Sequence, residues 1–462
     1  MADMQSEKPL HIAMYPYLAM GHLTPYLHMS NKLAERGHRI SFFIPTNTQQ
    51  KLISFNHHPN LISFIPIAIP HVEGLPKGAE TSADVPFSLF SLLMTAMDLT
   101  KPAIESVLQE LKPHIIFYDF AHWLPTSARR LNLNIRSVYY SVISAATVGF
   151  LLSPEKNLLE RQTEAAFMEP PAEFPPSAIK LQIHEARVLV SMTFTECGKG
   201  ITFMERNLAS LRESDAIAFK TCREMEDPYF DFVQNQFKKP VFTSGPVVPD
   251  LPKAALEEKW ANWLDKFEAQ TLIFCAFGSE CILRKDQFQQ LVLGFELTGL
   301  PFFAALKPPL GSETIESALP EGFAERVKGR GVVHGGWVQQ PLILRHPSVG
   351  CFVTHCGQGS LSEALVNECQ LVLLPNVADQ IINARMMGRD LKVGVEVEKG
   401  DEDGLFTKDG VCKAVRAVMD GDSEVGKEVR ANHGKWRELL LREGLESSYI
   451  DSFVQNLKGL LG

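Results

Sequence analysis

Two polar residues, each placed after its own apolar segment, could between them activate a hydroxyl group. His22 follows the apolar run 10–17, and Asp119 closes the run 115–118. Histidine takes up and releases a proton near neutral pH, and a neighbouring carboxylate orients the ring and stabilises its protonated form. Taken alone, a histidine after a strand is more often a packed or loop residue than a catalyst. A second set could hold an anion: His355-Cys356-Gly357-Gln358-Gly359-Ser360 follows the apolar run 350–354 and leads into LSEALVNE. Such a strand-to-helix turn aims backbone N–H groups at one point, its glycines allow close approach, and the helix dipole favours negative charge. His355 can add one donor. The competing reading is a turn whose glycines serve geometry alone. Likewise Ser360 and Glu363 stand at the S-x-x-E spacing of a capping box, which accounts for both without a ligand. Trp337 and Gln340 lie upstream, and Asp379-Gln380 follow the next apolar run. A flat aromatic face, an anion seat and hydroxyl-reading polar groups converging on one edge would suit a nucleotide sugar.

These residues need a framework that brings distant segments together. Residues 10–17 read as a strand and 18–23 as a turn, with Thr24 as N-cap and Pro25 as the first residue of a helix. That helix carries Leu27, Leu33 and Ala34 inward and stops at Gly37, and 39–44 resumes as a strand, which completes a βαβ unit. Residues 115–118 and 137–140 repeat the strand pattern. The proline- and glycine-rich SGPVVPDLPK marks a boundary, after which 263–267 reads as a short helix and 271–277 as a buried parallel strand. Strands at 350–354 and 371–374 flank a helix at 361–366.

A chain of 462 residues suits two domains of roughly 200 residues each. We therefore expect an α/β protein of two doubly wound domains facing a cleft, with ligands at the carboxyl ends of the strands. The expected division is 1–243 for acceptor binding, 244–262 as linker, 263–447 for the donor, and a C-terminal helix over 448–462 packing back toward the first domain.

Composition removes several function classes. The net charge of −9 is spread along the chain, which disfavours a nucleic-acid partner. Eight cysteines form no CxxC pair and read as reduced thiols. The polar start MADMQSEKP and the lack of a long apolar run argue against secretion and a membrane span, and the expectation is a cytoplasmic protein, taken as a monomer. No GxGxxG follows a strand, which counts against nicotinamide or flavin chemistry. The triplet Asp401-Glu402-Asp403 precedes a glycine in a polar loop and reads as a solvated turn, so no metal or other cofactor is expected.

The stretch 337–380, WVQQPLILRHPSVGCFVTHCGQGSLSEALVNECQLVLLPNVADQ, resembles over its full length the donor-binding signature of the plant UDP-dependent glycosyltransferases. GHLTP around His22, FYDFAHWLP around Asp119, the FGSE loop and the SGPV linker resemble the same family in order and spacing. The resemblance implies the GT-B fold. It also implies that Trp337 stacks on uracil beside Val338, that Gln340 and Glu363 bond the ribose, and that His355, Ser360 and Ser279 hold the diphosphate with the turn Gly357, Gln358 and Gly359. Asp379 and Gln380 would read the sugar hydroxyls. His22 and Asp119 would deprotonate the acceptor.

Gln358-Gly359 departs from the commonest form of the signature, which has Trp-Asn there. Similar departures occur in the branch of the family that adds a sugar to a sugar already attached to a flavonoid or terpenoid. The expectation is an inverting UDP-sugar-dependent O-glycosyltransferase acting on a flavonoid glycoside, with glucose as first donor and xylose or rhamnose as alternatives. Its rivals are a glucosyltransferase for bare phenolic aglycones and a non-catalytic UDP-sugar-binding protein. Acceptor contacts are expected from 72–86, 87–97 and 144–155.

Overall fold

The computed structural model describes residues 8–248, 255–278 and 280–462. Ser279 lies outside the described residues. The apolar runs form two wholly parallel sheets. The first contains β1 (His11–Tyr15), β2 (Arg39–Pro45), β3 (Ile62–Ile67), β4 (Ile115–Tyr118), β5 (Arg136–Ser141), β6 (Ala216–Phe219) and β7 (Val241–Thr243) in the order β3-β2-β1-β4-β5-β6-β7. The second contains β8 (Leu272–Ala276), β9 (Phe302–Ala305), β10 (Gly331–His334), β11 (Val349–Thr354), β12 (Gln370–Leu373) and β13 (Gly394–Glu396) in the order β10-β9-β8-β11-β12-β13. Both are doubly wound, as expected. Strand order reverses between β1 and β4 in one sheet and between β8 and β11 in the other, and crevices open beyond the carboxyl ends at such reversals.

Helix boundaries differ from expectation in an informative way. The helix after β1 spans Met20–Ala34, so it begins before Thr24 and takes Pro25 inside. The N–H groups of His22 and Leu23 both donate to the Ala19 carbonyl at 2.9 Å, closing the first turn ahead of the proline. His22 thereby sits in a helical turn. The chain leaves this helix through Gly37 at φ +79°. The short helix expected over 263–267 lies instead at Glu258–Leu264.

Apolar side chains cover both faces of each sheet. The C-terminal helix Leu445–Gly459 buries Ile450, Phe453, Val454 and Leu457 among Ile12, Met14 and Phe117 of the first sheet. Each such side chain contributes about 1.5–3 kcal/mol when fully buried. Gly245 sits under this helix at φ +78°, where a Cβ would come within 2.5 Å of Tyr449 Cβ. No helix among the described residues is long and apolar enough to cross a membrane.

Candidate active site

The two strand-order reversals place the chemistry. His22 leaves β1 and Asp119 leaves β4, neighbouring strands that pair in parallel with Tyr15 opposite Tyr118. His22 Nδ1 and Asp119 Oδ2 are 2.7 Å apart. The other carboxylate oxygen accepts the Tyr17 N–H at 2.7 Å and the Phe120 N–H at 2.6 Å, so Asp119 is held on both sides. Asp119 is 2% exposed and the His22 side chain 20%, which buries the orienting group and leaves the ring reachable. With Nδ1 engaged, Nε2 is the nitrogen left for a substrate. Burial alone would lower the His22 pKa; the charge and hydrogen bond of Asp119, with the charges of Glu280 and Asp379, outweigh it and raise it.

The turn after β11 faces this pair from the second sheet. The helix Gln358–Leu365 begins at N-cap Gly357, earlier than the expected 361. Ser360 therefore lies inside its first turn, and the capping-box account of Ser360 and Glu363 does not hold. Instead Gln340 Nε2 donates to Ser360 Oγ at 3.1 Å and to Glu363 Oε2 at 2.8 Å, which knits the three into one cluster. Burial raises the Glu363 pKa, offset in part by Gln340 and by Lys220 from the loop after β6. Lys220 is itself buried, which lowers its pKa to about 8.

His355 packs directly on the turn: a Cβ at Gly357 would lie 2.6 Å from its Nε2, so any larger residue there would have to displace the imidazole. Burial pushes the His355 pKa down to about 4, leaving a neutral ring whose Nδ1 is buried without a partner. Gly359 faces open space. Trp337 is 75% exposed, a free flat face, while the adjoining Val338 is buried.

Asp379 opens the helix Asp379–Arg385 behind Ala378, a non-glycine residue at φ +50°. Burial raises its pKa to about 6, with His22 opposing the shift. Gln380 turns its carboxamide oxygen back onto the N–H groups of Asn376 at 3.0 Å and Val377 at 3.2 Å. That leaves its NH2 group for a ligand. Among the described residues no three His, Cys, Asp or Glu side chains gather as a metal site. Asp401-Glu402-Asp403 forms an exposed turn, as expected, whose backbone touches the helix Ile183–Thr193: the Asp401 carbonyl lies 3.0 Å from His184 Nδ1, and Arg187 donates to the Glu402 carbonyl at 3.2 Å.

Phe87 and Phe90 lie in the expected segment 87–97 and Ser82 in 72–86, whereas other neighbours of the pair were not read from the sequence. A file of rings runs outward from His22 through Tyr17 (5.2 Å), Phe90 (5.7 Å from Tyr17) and the exposed Phe87 (5.8 Å from Phe90). Phe120 and Phe203 flank it. Buried Arg206 donates to the Phe120 carbonyl at 3.0 Å and bridges to Asp98, bracing the segment after Asp119. Ser82 donates to Glu280, joining the two units over the cleft. The apolar character of 87–97 was the sequence signal for this wall; the bond of Ser82 to Glu280 and the bracing by Arg206 gave none, because the partners are distant in sequence.

Comparison with known proteins shows the family and the fold. The family described as UDP-glucoronosyl and UDP-glucosyl transferase matches residues 328–429. The chain is 60% identical to a cyanidin 3-O-galactoside 2''-O-xylosyltransferase of Actinidia chinensis var. chinensis, over 98% of this chain and 99% of that protein. It is 57% identical to an anthocyanidin 3-O-glucoside 2''-O-glucosyltransferase of Ipomoea nil, over 98% of each. Its fold matches Glycyrrhiza uralensis UGT73P12, solved with glycyrrhetinic acid 3-O-monoglucuronide, at TM-score 0.79 and 21% identity, covering 98% and 96% of the two chains.

Proposed function

The chain belongs to the UDP-glucoronosyl and UDP-glucosyl transferase family and is an enzyme of glycosyl transfer with the GT-B fold, and on that premise we propose that it extends the sugar of a flavonoid 3-O-glycoside. The single observation that carries the catalytic part is the His22–Asp119 pair facing Asp379 across the cleft. The unit built on β1–β7 takes the acceptor and the unit built on β8–β13 takes the UDP-sugar.

In this reading His22 Nε2 accepts the proton of the acceptor hydroxyl, and Asp119 stabilises the imidazolium that results. The oxygen attacks the anomeric carbon as the C1–O bond to UDP breaks on the opposite face, which inverts the centre. Charge developing on the diphosphate meets the N-terminus of the helix Gln358–Leu365, neutral His355 and Ser360. Trp337 stacks on the base, Val338 adjoins it, and Gln340 with Glu363 holds the ribose. Asp379 and the Gln380 NH2 read sugar hydroxyls.

The names of two relatives support transfer to the 2''-hydroxyl of an anthocyanidin 3-O-glycoside, one with xylose and one with glucose. Those two sugars share their hydroxyl configuration at C2, C3 and C4 and differ at C6, so Asp379 and Gln380 read what they have in common. The ring file from Tyr17 to Phe87 offers the aglycone an aromatic wall. A matrix of UDP-glucose, UDP-xylose and UDP-rhamnose against 3-O-glycosides and their aglycones tests the proposal. It predicts glycoside turnover above aglycone turnover with at least one donor; equal or faster use of aglycones refutes it.

A further inference from the structure

Asn383 lies one turn beyond Asp379 on the helix Asp379–Arg385 and is 1% exposed. Its carboxamide meets three groups from three parts of the molecule. Nδ2 donates to the Cys356 carbonyl at 3.0 Å and to Asp379 Oδ2 at 3.3 Å. Oδ1 accepts from Ser144 Oγ at 3.0 Å. Ser144 belongs to the other unit, where it caps the helix Ala145–Leu152 by accepting the Thr147 N–H. Both amide hydrogens meet acceptors and the oxygen accepts one hydroxyl hydrogen.

Two of its contacts sit beside backbone that needs holding. Cys356 is at φ +67° and Ala378, immediately before Asp379, is at φ +50°, both left-handed and neither a glycine. Such conformations persist where surrounding contacts over-determine them. Because a carbonyl and the following N–H point to opposite sides of a trans peptide, fixing the Cys356 carbonyl on Asn383 turns the Gly357 N–H away from it. The same amide steadies the Asp379 carboxylate.

We propose that Asn383 is a positioning residue that sets the diphosphate-facing turn and the sugar-facing Asp379 with one side chain, and ties both to the acceptor-binding unit through Ser144. This rests on the donor site proposed above. Loss of the amide misplaces donor groups without touching His22, so it lowers kcat more than it raises the acceptor KM.

Asn383→Asp gives a readout that a merely structural role would not move. It keeps the acceptor for Ser144 but sets a second carboxylate against Asp379, and two carboxylates this close share a proton. The ionisable groups facing this cluster are Asp379 on its own helix, His22 and Glu280 acting on Asp379, Cys356 and His355 of the turn after β11, and buried Glu226, which accepts the Ala146 N–H on the helix that Ser144 caps. A second carboxylate beside Asp379 also raises the His22 pKa in the variant, so the readout is the UDP-sugar dissociation constant, which does not need His22 as a base. The ratio of parent to variant dissociation constants is expected to rise about tenfold from about pH 8.5 to about pH 6, as the shared proton restores a donor. Asn383→Ala should lower kcat at least about tenfold with acceptor KM within about threefold, and Ser144→Ala about threefold. Thermal melts at both pH values confirm that each variant is folded. A flat Asn383→Asp ratio in folded protein, or parental kcat in Asn383→Ala, overturns the proposal. Asp379→Ala separates the two layers: if it keeps parental activity the donor-site reading fails, whereas if it is crippled and the Asn383 variants are not, only the present inference fails.

Discussion

His22 Nδ1 and Asp119 Oδ2 meet at 2.7 Å although the two residues are 97 positions apart in the chain. Parallel pairing of β1 with β4 creates that contact, since each residue emerges from the carboxyl end of its strand at the point where strand order reverses.

Replacing His22 with alanine should lower transfer by about 10²–10⁴-fold. The affinity for UDP should stay within about threefold, because the base acts on the acceptor and not on the nucleotide. Steady-state rates and UDP calorimetry on the same preparation check both halves, and parental kcat in His22→Ala would remove the proposed base.

The pH profile follows from the sign of the His22 shift. The folded pKa is raised above 6.5, the net of burial lowering it and Asp119 with Glu280 and Asp379 raising it more. A base works when unprotonated, so kcat/KM should fall as pH drops through that raised value. Asp119→Asn removes the largest raising influence, so its acid limb should move to lower pH while its plateau rate falls. An unmoved limb would show that Asp119 does not set the base.

The strands at 115–118 and 271–277 were legible because a strand buried on both faces reads as an unbroken apolar run. β3 was not, since it is an edge strand that tolerates Pro66 and leaves Ser63 exposed. The residues proposed for the donor turn could be named because they lie in one contiguous stretch, 337–380. What holds them together was not legible: Gln340 bridging Ser360 and Glu363, and Asn383 reaching Ser144, depend on where helices begin and on contacts between the two units. The Ser360–Glu363 spacing suggested a cap only because the helix was expected to start later than it does.

Ribose recognition can be tested at Glu363. A carboxylate accepting hydrogen bonds is worth about 1.5–3 kcal/mol, so Glu363→Gln should weaken UDP binding about tenfold to a hundredfold. Gln340→Ala, which frees both Ser360 and Glu363, should also weaken it. Unchanged UDP affinity in both variants would displace the ribose from this cluster.

Activity should survive excess chelator, because a helix N-terminus, neutral His355 and Ser360 are the groups proposed to meet the diphosphate charge. Loss of activity in EDTA, restored by Mg²⁺, would contradict that assignment.

Gly245→Ala should lower the unfolding temperature without altering the cleft chemistry. Its φ of +78° and the 2.5 Å approach to Tyr449 force the C-terminal helix off the first unit, at a cost of about 1–3 kcal/mol. A thermal melt compared with the parent, alongside kcat at low temperature, checks this; an unchanged melt would mean that the helix docking is more pliant than the packing indicates.

The central claim is that this enzyme builds onto a sugar. The most direct measurement is the linkage in the purified product when a flavonoid 3-O-glucoside and the preferred UDP-sugar are supplied, read by NMR through the correlation from the new anomeric proton. The account predicts that this proton correlates with a carbon of the first sugar, at its 2''-position, and that the signal is absent with His22→Ala. A correlation to a phenolic ring carbon would contradict it.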